Sequence, residues 1–166
     1  MLTEAQFASL AALGHNRIPL VRESFADLDT PLSLYLKLAC GGGSARDSFL
    51  LESVVGGERF GRYSFIGLPA TTRITARGTQ VTVTRQGGIE RHQGDPLAFV
   101  ASFLARFNAA SVPHLPRFCG GVAGYFGYDC VRHIEPRLAR SAPPPSDELA
   151  DVPDMLLLLT EELAVV

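Results

Sequence analysis

The chain has 166 residues, 46% of them hydrophobic and 19% charged, with a formal net charge of −2. That length and apolar share suffice for one domain with a core and exclude a disordered tail. Of the 15 basic residues all but Lys37 are arginines, and they are scattered, which excludes a basic stripe for nucleic acid or an anionic membrane.

The first predicted element is a helix over residues 3 to 13. Thr3 can cap it, Phe7, Leu10 and Ala11 follow a three-four spacing, and Gly14 is a stop. No basic segment followed by an apolar core opens the chain, so no signal peptide is expected. Pro19 biases its neighbours to extended backbone, and Ile18 to Glu23 alternate as a short strand. A second helix has Thr30 as cap and Pro31 at its first position, with Leu32, Tyr35, Leu36 and Ala39 as its apolar stripe and Gly41 to Gly43 as its end.

Residues 48 to 67 read as strand, glycine-punctuated loop and strand. In the first strand Phe49, Leu51 and Ser53 share one face and Leu50, Glu52 and Val54 the other. Both faces are mostly apolar, so the strand is expected to be buried on both sides. A buried Glu52 then needs a partner, and Arg59 or Arg62 across the Gly56-Gly57 turn can supply it. Ser53 can satisfy its hydroxyl on nearby backbone.

Ala70 to His92 alternate as a three-strand meander, with turns at Arg77-Gly78 and Gln86 to Gly88 and one face expected to be solvated. Asp95-Pro96 opens the strongest helix, in which Leu97, Val100, Ala101, Leu104 and Phe107 recur at helical spacing. Phe118 to Arg132 is a glycine-rich strand running into a helical turn, and residues 140 to 147 form an extended surface loop. Met155 to Thr160 is a strongly apolar strand, far short of a membrane span. Leu163 to Val166 looks like the return strand of a hairpin begun by it. A hairpin left half made exposes strand edges, so a longer polypeptide is expected.

Several chemistries find no support. No GxxxxGK[ST] is present, the glycines at 121, 124 and 127 do not make GxGxxG, and Ser64 lies in no GxSxG elbow. Cys119, Cys130 and His133 match no usual zinc spacing and read as buried thiols beside a surface histidine. Three unclustered cysteines fit a reducing cytosol. Asp129, Arg132 and Glu135 are spaced for local ion pairs. Glu52 and Ser53 remain the candidates for holding a small ligand, beside the plainer reading of a core strand with a neutralised carboxylate.

Two stretches resemble a known family. Leu50-Leu51-Glu52-Ser53 with Gly57 to Gly67, and Gly120 to Asp129 with Val131, Arg132 and Glu135, are similar in order and spacing to the N-terminal signatures of anthranilate synthase component I. Asp151 to Met155 also fits. The second signature is shared with aminodeoxychorismate synthase component I of the folate pathway, which is the alternative, and a stand-alone small-molecule sensor is a third reading. The resemblance implies an α/β fold of the α+β type, with mixed, largely antiparallel sheets and flanking helices. Residues 1–166 would be the N-terminal regulatory region, with the catalytic chorismate-binding domain lying outside it. The family is a cytoplasmic lyase that makes anthranilate and pyruvate from chorismate and glutamine-derived ammonia in tryptophan biosynthesis. The implied partners are a glutamine amidotransferase, component II, and the C-terminal chorismate-binding domain, with Mg2+ held by that domain. No catalytic or metal residue is then expected in this chain, which should be inactive alone. The family's feedback inhibitor, L-tryptophan, would contact Leu51, Glu52 and Ser53, with Ser53 acting by its side chain and Glu52 partly through backbone.

Overall fold

The computed structural model describes residues 2–41, 47–52, 63–135, 137–138 and 151–166. Among the described residues, two antiparallel sheets are flanked by helices. The larger has five strands: β3 (Thr72–Arg77), β4 (Gln80–Arg85), β5 (Gly88–Gln93), β6 (Gly121–Phe126) and β7 (Met155–Thr160), in the order β5-β4-β3-β7-β6. The smaller contains β1 (Phe49–Leu51), β2 (Phe65–Gly67) and β8 (Leu163–Val165), in the order β1-β2-β8. This is the α+β class expected from the sequence.

The helices begin where their caps predict. In α1 (Glu4–Ala12) the Thr3 hydroxyl accepts from the Gln6 amide at 3.2 Å while the Gln6 side chain accepts from the Thr3 amide at 2.9 Å. Thr30 and Ser33 make the same reciprocal pair at the start of α2 (Pro31–Ala39), at 3.1 and 2.9 Å. Asp95 accepts from the Leu97 amide at 2.9 Å and Pro96 opens α3 (Pro96–Leu104). A single 3-10 turn, Tyr128–Cys130, leads into the one-turn α4 (Val131–Ile134).

The core lies between α3 and one face of the larger sheet. Register stacks Ile74 on Val83 and Leu157, and Ala76 on Val81 and Met155; Val100 and Phe103 of α3 close over them. On the opposite face of the meander Arg73, Thr75, Thr82 and Thr84 are half-buried, while Ile89 and Arg91 of β5 are exposed, so the expected solvated face is found on the outer strand. β7 is buried along nearly its whole length on both faces, and both its edges are paired, to β3 and to β6.

Four sequence expectations are corrected. Ile18 to Glu23 is not a strand; the chain there makes one isolated parallel bridge, Arg17 to Ala109. That bridge is braced by two asparagines. The Asn16 side chain donates to the Arg106 carbonyl and accepts from the Asn108 amide, both at 2.7 Å, and the Asn108 side chain donates to the Gly14 carbonyl at 3.1 Å. Polar ties therefore hold the segment that follows α1, a helix that buries no residue. The α2 stripe is only partly used: Ala39 is buried while Leu32 and Leu36 stay exposed. Leu163 to Val165 does not return on β7; it crosses to the smaller sheet and pairs with β2. β1 is also shorter than expected and is half-buried to exposed, and among the described residues it is an edge strand rather than a central one. Residues 140 to 147 lie outside the described residues.

Candidate site at the edge of the smaller sheet

β1 and β2 pair antiparallel, with Phe49 opposite Gly67, Leu50 opposite Ile66 and Leu51 opposite Phe65. Directly opposed residues project to the same side of a sheet. One side therefore gathers Phe49, Leu51 and Phe65. Phe118 joins from the loop before β6, edge-on to Phe65 with ring centroids 5.7 Å apart and tilted against Phe49 at 6.5 Å. Tyr63 extends the row, 6.1 Å from Phe65. On the α2 side, the Tyr35 hydroxyl meets Ser48 Oγ at 3.1 Å and Ile66 is fully buried.

Gly67 makes the aromatic side possible. A Cβ at Gly67 would occupy the place of the Phe49 ring, so the ring lies flat across the glycine of its partner strand. The sequence placed Phe49 and Leu51 on one face but gave no sign that Phe65, Tyr63 and Phe118 would share it. The signal available was the antiparallel pairing of the two strands, which sets Phe65 opposite Leu51.

Of the predicted ligand residues, the structure places Leu51 and Glu52 together at the open end of this edge strand. Leu51 is 53% exposed. Glu52 follows the last paired residue and is also exposed, which corrects the expectation of a buried carboxylate in need of a partner. Its charge keeps water because pairing stops at Leu51. Ser53, Arg59 and Arg62, and the glycine loop between them, lie outside the described residues. The arrangement offers an aromatic wall, a free carboxylate and, among the described residues, a strand edge with no neighbour.

Other residue groups have structural roles. Arg132 pairs with Asp129 at 2.7 Å, as their spacing predicts. Cys130 is buried and donates to the Asp154 carbonyl at 3.1 Å; burial pushes its thiol up, and the nearby Asp154 charge adds to this. Cys119 is exposed, which corrects its reading as a buried thiol. The described residues contain no group of three or more His, Cys, Asp and Glu able to hold a metal ion. Asp154 anchors the start of β7. Its carboxylate accepts from the Gly78 amide at 2.6 Å, its amide donates to the Ala76 carbonyl at 2.8 Å, and its carbonyl accepts from the Gly127 amide at 2.7 Å. At the entry to α2, Lys37 and Ser33 both donate to Asp29, at 2.6 and 2.7 Å, and hold its carboxyl below the usual carboxylate range. A shallow groove of about 400 Å³ lies between α1 and residues 111–113, lined by Leu2, Leu10, Val112 and Pro113 among others. No helix among the described residues is long and apolar enough to cross a membrane.

No protein-family model matches the chain. Among curated proteins, it is 50% identical over 167 residues to "Anthranilate synthase component 1" of Neisseria meningitidis serogroup C / serotype 2a, covering 100% of this chain and 33% of that protein. It is 52% identical over 166 residues to the protein of the same name from Pseudomonas aeruginosa, covering 99% of this chain and 32% of that one. The relative from Acetivibrio thermocellus is 34% identical over 159 residues. The chain thus spans about a third of the length of the curated relatives it matches. A crystal structure of anthranilate synthase component I from Streptococcus pneumoniae TIGR4 superposes with a TM-score of 0.47 at 21% identity, covering 88% of this chain and 28% of that chain, a likeness too slight to add to the sequence matches.

Proposed function

Because the chain is homologous along its whole length to a third of anthranilate synthase component 1, we propose that it is the N-terminal regulatory part of such an enzyme. The whole protein then converts chorismate, with ammonia released from glutamine by a component 2 amidotransferase, to anthranilate and pyruvate in the cytoplasm. Identity of 50% across all of this chain is the observation that supports the reading. Chorismate and magnesium fall to the other two thirds. This part makes no product alone.

Its contribution is the feedback site for L-tryptophan at Leu51, Glu52 and Ser53. An indole needs a broad apolar wall, and Leu51 with the Phe65 and Tyr63 rings forms one beside the open strand end. The ammonium needs acceptors, which the backbone carbonyls of the β1 edge, that of Glu52 among them, would provide. Ser53 supplies a hydroxyl for the effector's polar end, and the rest of the protein closes the pocket. Tryptophan then inhibits by favouring the state of the enzyme with the poorer chorismate site, a coupling between two sites.

The test is a chimera in which this chain replaces its matched third of the Pseudomonas aeruginosa relative. With component 2, it should form anthranilate from chorismate and be inhibited by tryptophan. Ser53→Phe should blunt that inhibition while sparing turnover without effector. A folded chimera that makes no anthranilate sinks the enzyme reading. An inhibition curve unmoved by Ser53→Phe sinks the site.

A further inference from the structure

Residues 18–36 carry an unusual load of bare apolar side chains. Phe25 is 98% exposed and Leu28 is 101% exposed, and Leu20, Leu32 and Leu36 are more than half exposed. Single exposed leucines are ordinary, but five large apolar side chains within seventeen residues are not. The backbone adds a second observation. Residues 18–25 form neither helix nor strand, and among the described residues they make no hydrogen bond. Irregular backbone whose amides and carbonyls are unpaired among the described residues, flanked by apolar side chains, is what a polypeptide partner can pair with and cover.

The segment is nevertheless held in place at both ends. The Asn16–Asn108 brace fixes its start, and Asp29, bonded by Ser33 and Lys37, fixes its entry to α2. It is therefore a strap presented by the fold, with its apolar side chains facing outward between two anchors.

We propose that this strap, from Leu20 to Leu36, is the surface on which the remaining two thirds of a component 1 chain packs; the inference rests on the component 1 reading above. The relatives carry this region inside a chain about three times as long. A neighbour on the same polypeptide is present at high effective concentration, so the strap needs no further surface to hold it. A second copy, the other occupant, would instead have to associate from dilute solution.

The experiment compares the 166-residue chain with the Pseudomonas aeruginosa chimera by hydrogen exchange and melting. Amides of residues 18–25 should exchange about a hundredfold more slowly in the chimera. Phe25→Asp with Leu28→Asp should lower the chimera's melting midpoint and leave that of the 166-residue chain unchanged, since both side chains are already in water there. Equal exchange in both proteins, with a chimera that still makes anthranilate, overturns the strap and leaves the component 1 reading standing. A chimera that shows the protection and the melting loss but makes no anthranilate supports the packing surface and strikes at the enzyme reading alone. Sedimentation of the 166-residue chain as a dimer that Phe25→Asp turns into a monomer assigns the surface to a second copy and overturns the proposal.

Discussion

Gly67→Ala tests the aromatic side of the smaller sheet most directly. The new methyl group would sit where the Phe49 ring now lies, and Gly67 itself is buried between β1 and β8. The backbone cannot yield without breaking pairing on both sides, so the ring must swing out. Overfilling a packed site costs about 1–3 kcal/mol, and loss of the Phe49–Phe118 contact adds about 0.5–1.5 kcal/mol. The half-buried ring has an escape route toward solvent, which sets the expected loss near 2–3 kcal/mol. For a domain of this size each kcal/mol moves the midpoint by about 2–4 °C, so melting should fall by about 4–12 °C. Urea unfolding of the wild type, Gly67→Ala, Phe49→Ala and the double variant gives the decisive quantity. With the ring gone the methyl group has room, and the two substitutions should couple by about 1–2 kcal/mol. Costs that simply add to within about 0.5 kcal/mol would refute the reasoning.

Gly124→Ala should be worse, by more than about 3 kcal/mol, because its Cβ would overlap the Leu156 carbonyl, a backbone atom with nowhere to go. Gly88→Ala, with open space around it, should stay within about 0.5 kcal/mol in the same unfolding assay. Asp154→Ala removes the carboxylate that holds the Gly78 amide and should cost about 1.5–3 kcal/mol; an unchanged exchange rate at that amide would count against it. The raised thiol of Cys130 makes a pH prediction. Folding favours the neutral form, so its contribution is fully present below the thiol's ordinary value of 9.0 and is lost as pH rises through the higher folded value. Stability measured above pH 9 should decline, and Cys130→Ala should flatten that decline.

Local signals were legible where local chemistry decides. Thr3, Thr30 and Asp95 start their helices because each side chain satisfies an orphan amide within its own first turn. The meander was legible because consecutive strands pair through short turns. Pairings between distant segments were not. Leu163 to Val165 has the same alternation whether it folds back on β7 or crosses to β2, and only the vacancy beside β2 decides. Glu52 was misplaced for a related reason. Apolar residues on both faces argue for burial, but Glu52 lies just past the last paired residue, Leu51, and is exposed there. For the candidate site, the identity of Leu51 and Glu52 came from the sequence, whereas the aromatic wall beside them depends on how Phe118 folds over two strands far away in the chain.

The placement of β7 and β8 governs the order in which the molecule can be assembled. β7 is the wedge between β3 and β6, and β8 completes the smaller sheet against β2, although both are made after every other described element. Until they emerge from the ribosome, β6 has no neighbour and the apolar faces of Ile74 and Ala76 lack half their cover. Such distant pairings close slowly, and the nascent polypeptide meanwhile displays sticky sheet edges. Synthesis of this region therefore passes through a window in which chaperones have the most to hold, and that window shuts only when Met155 to Val165 is free to thread into place.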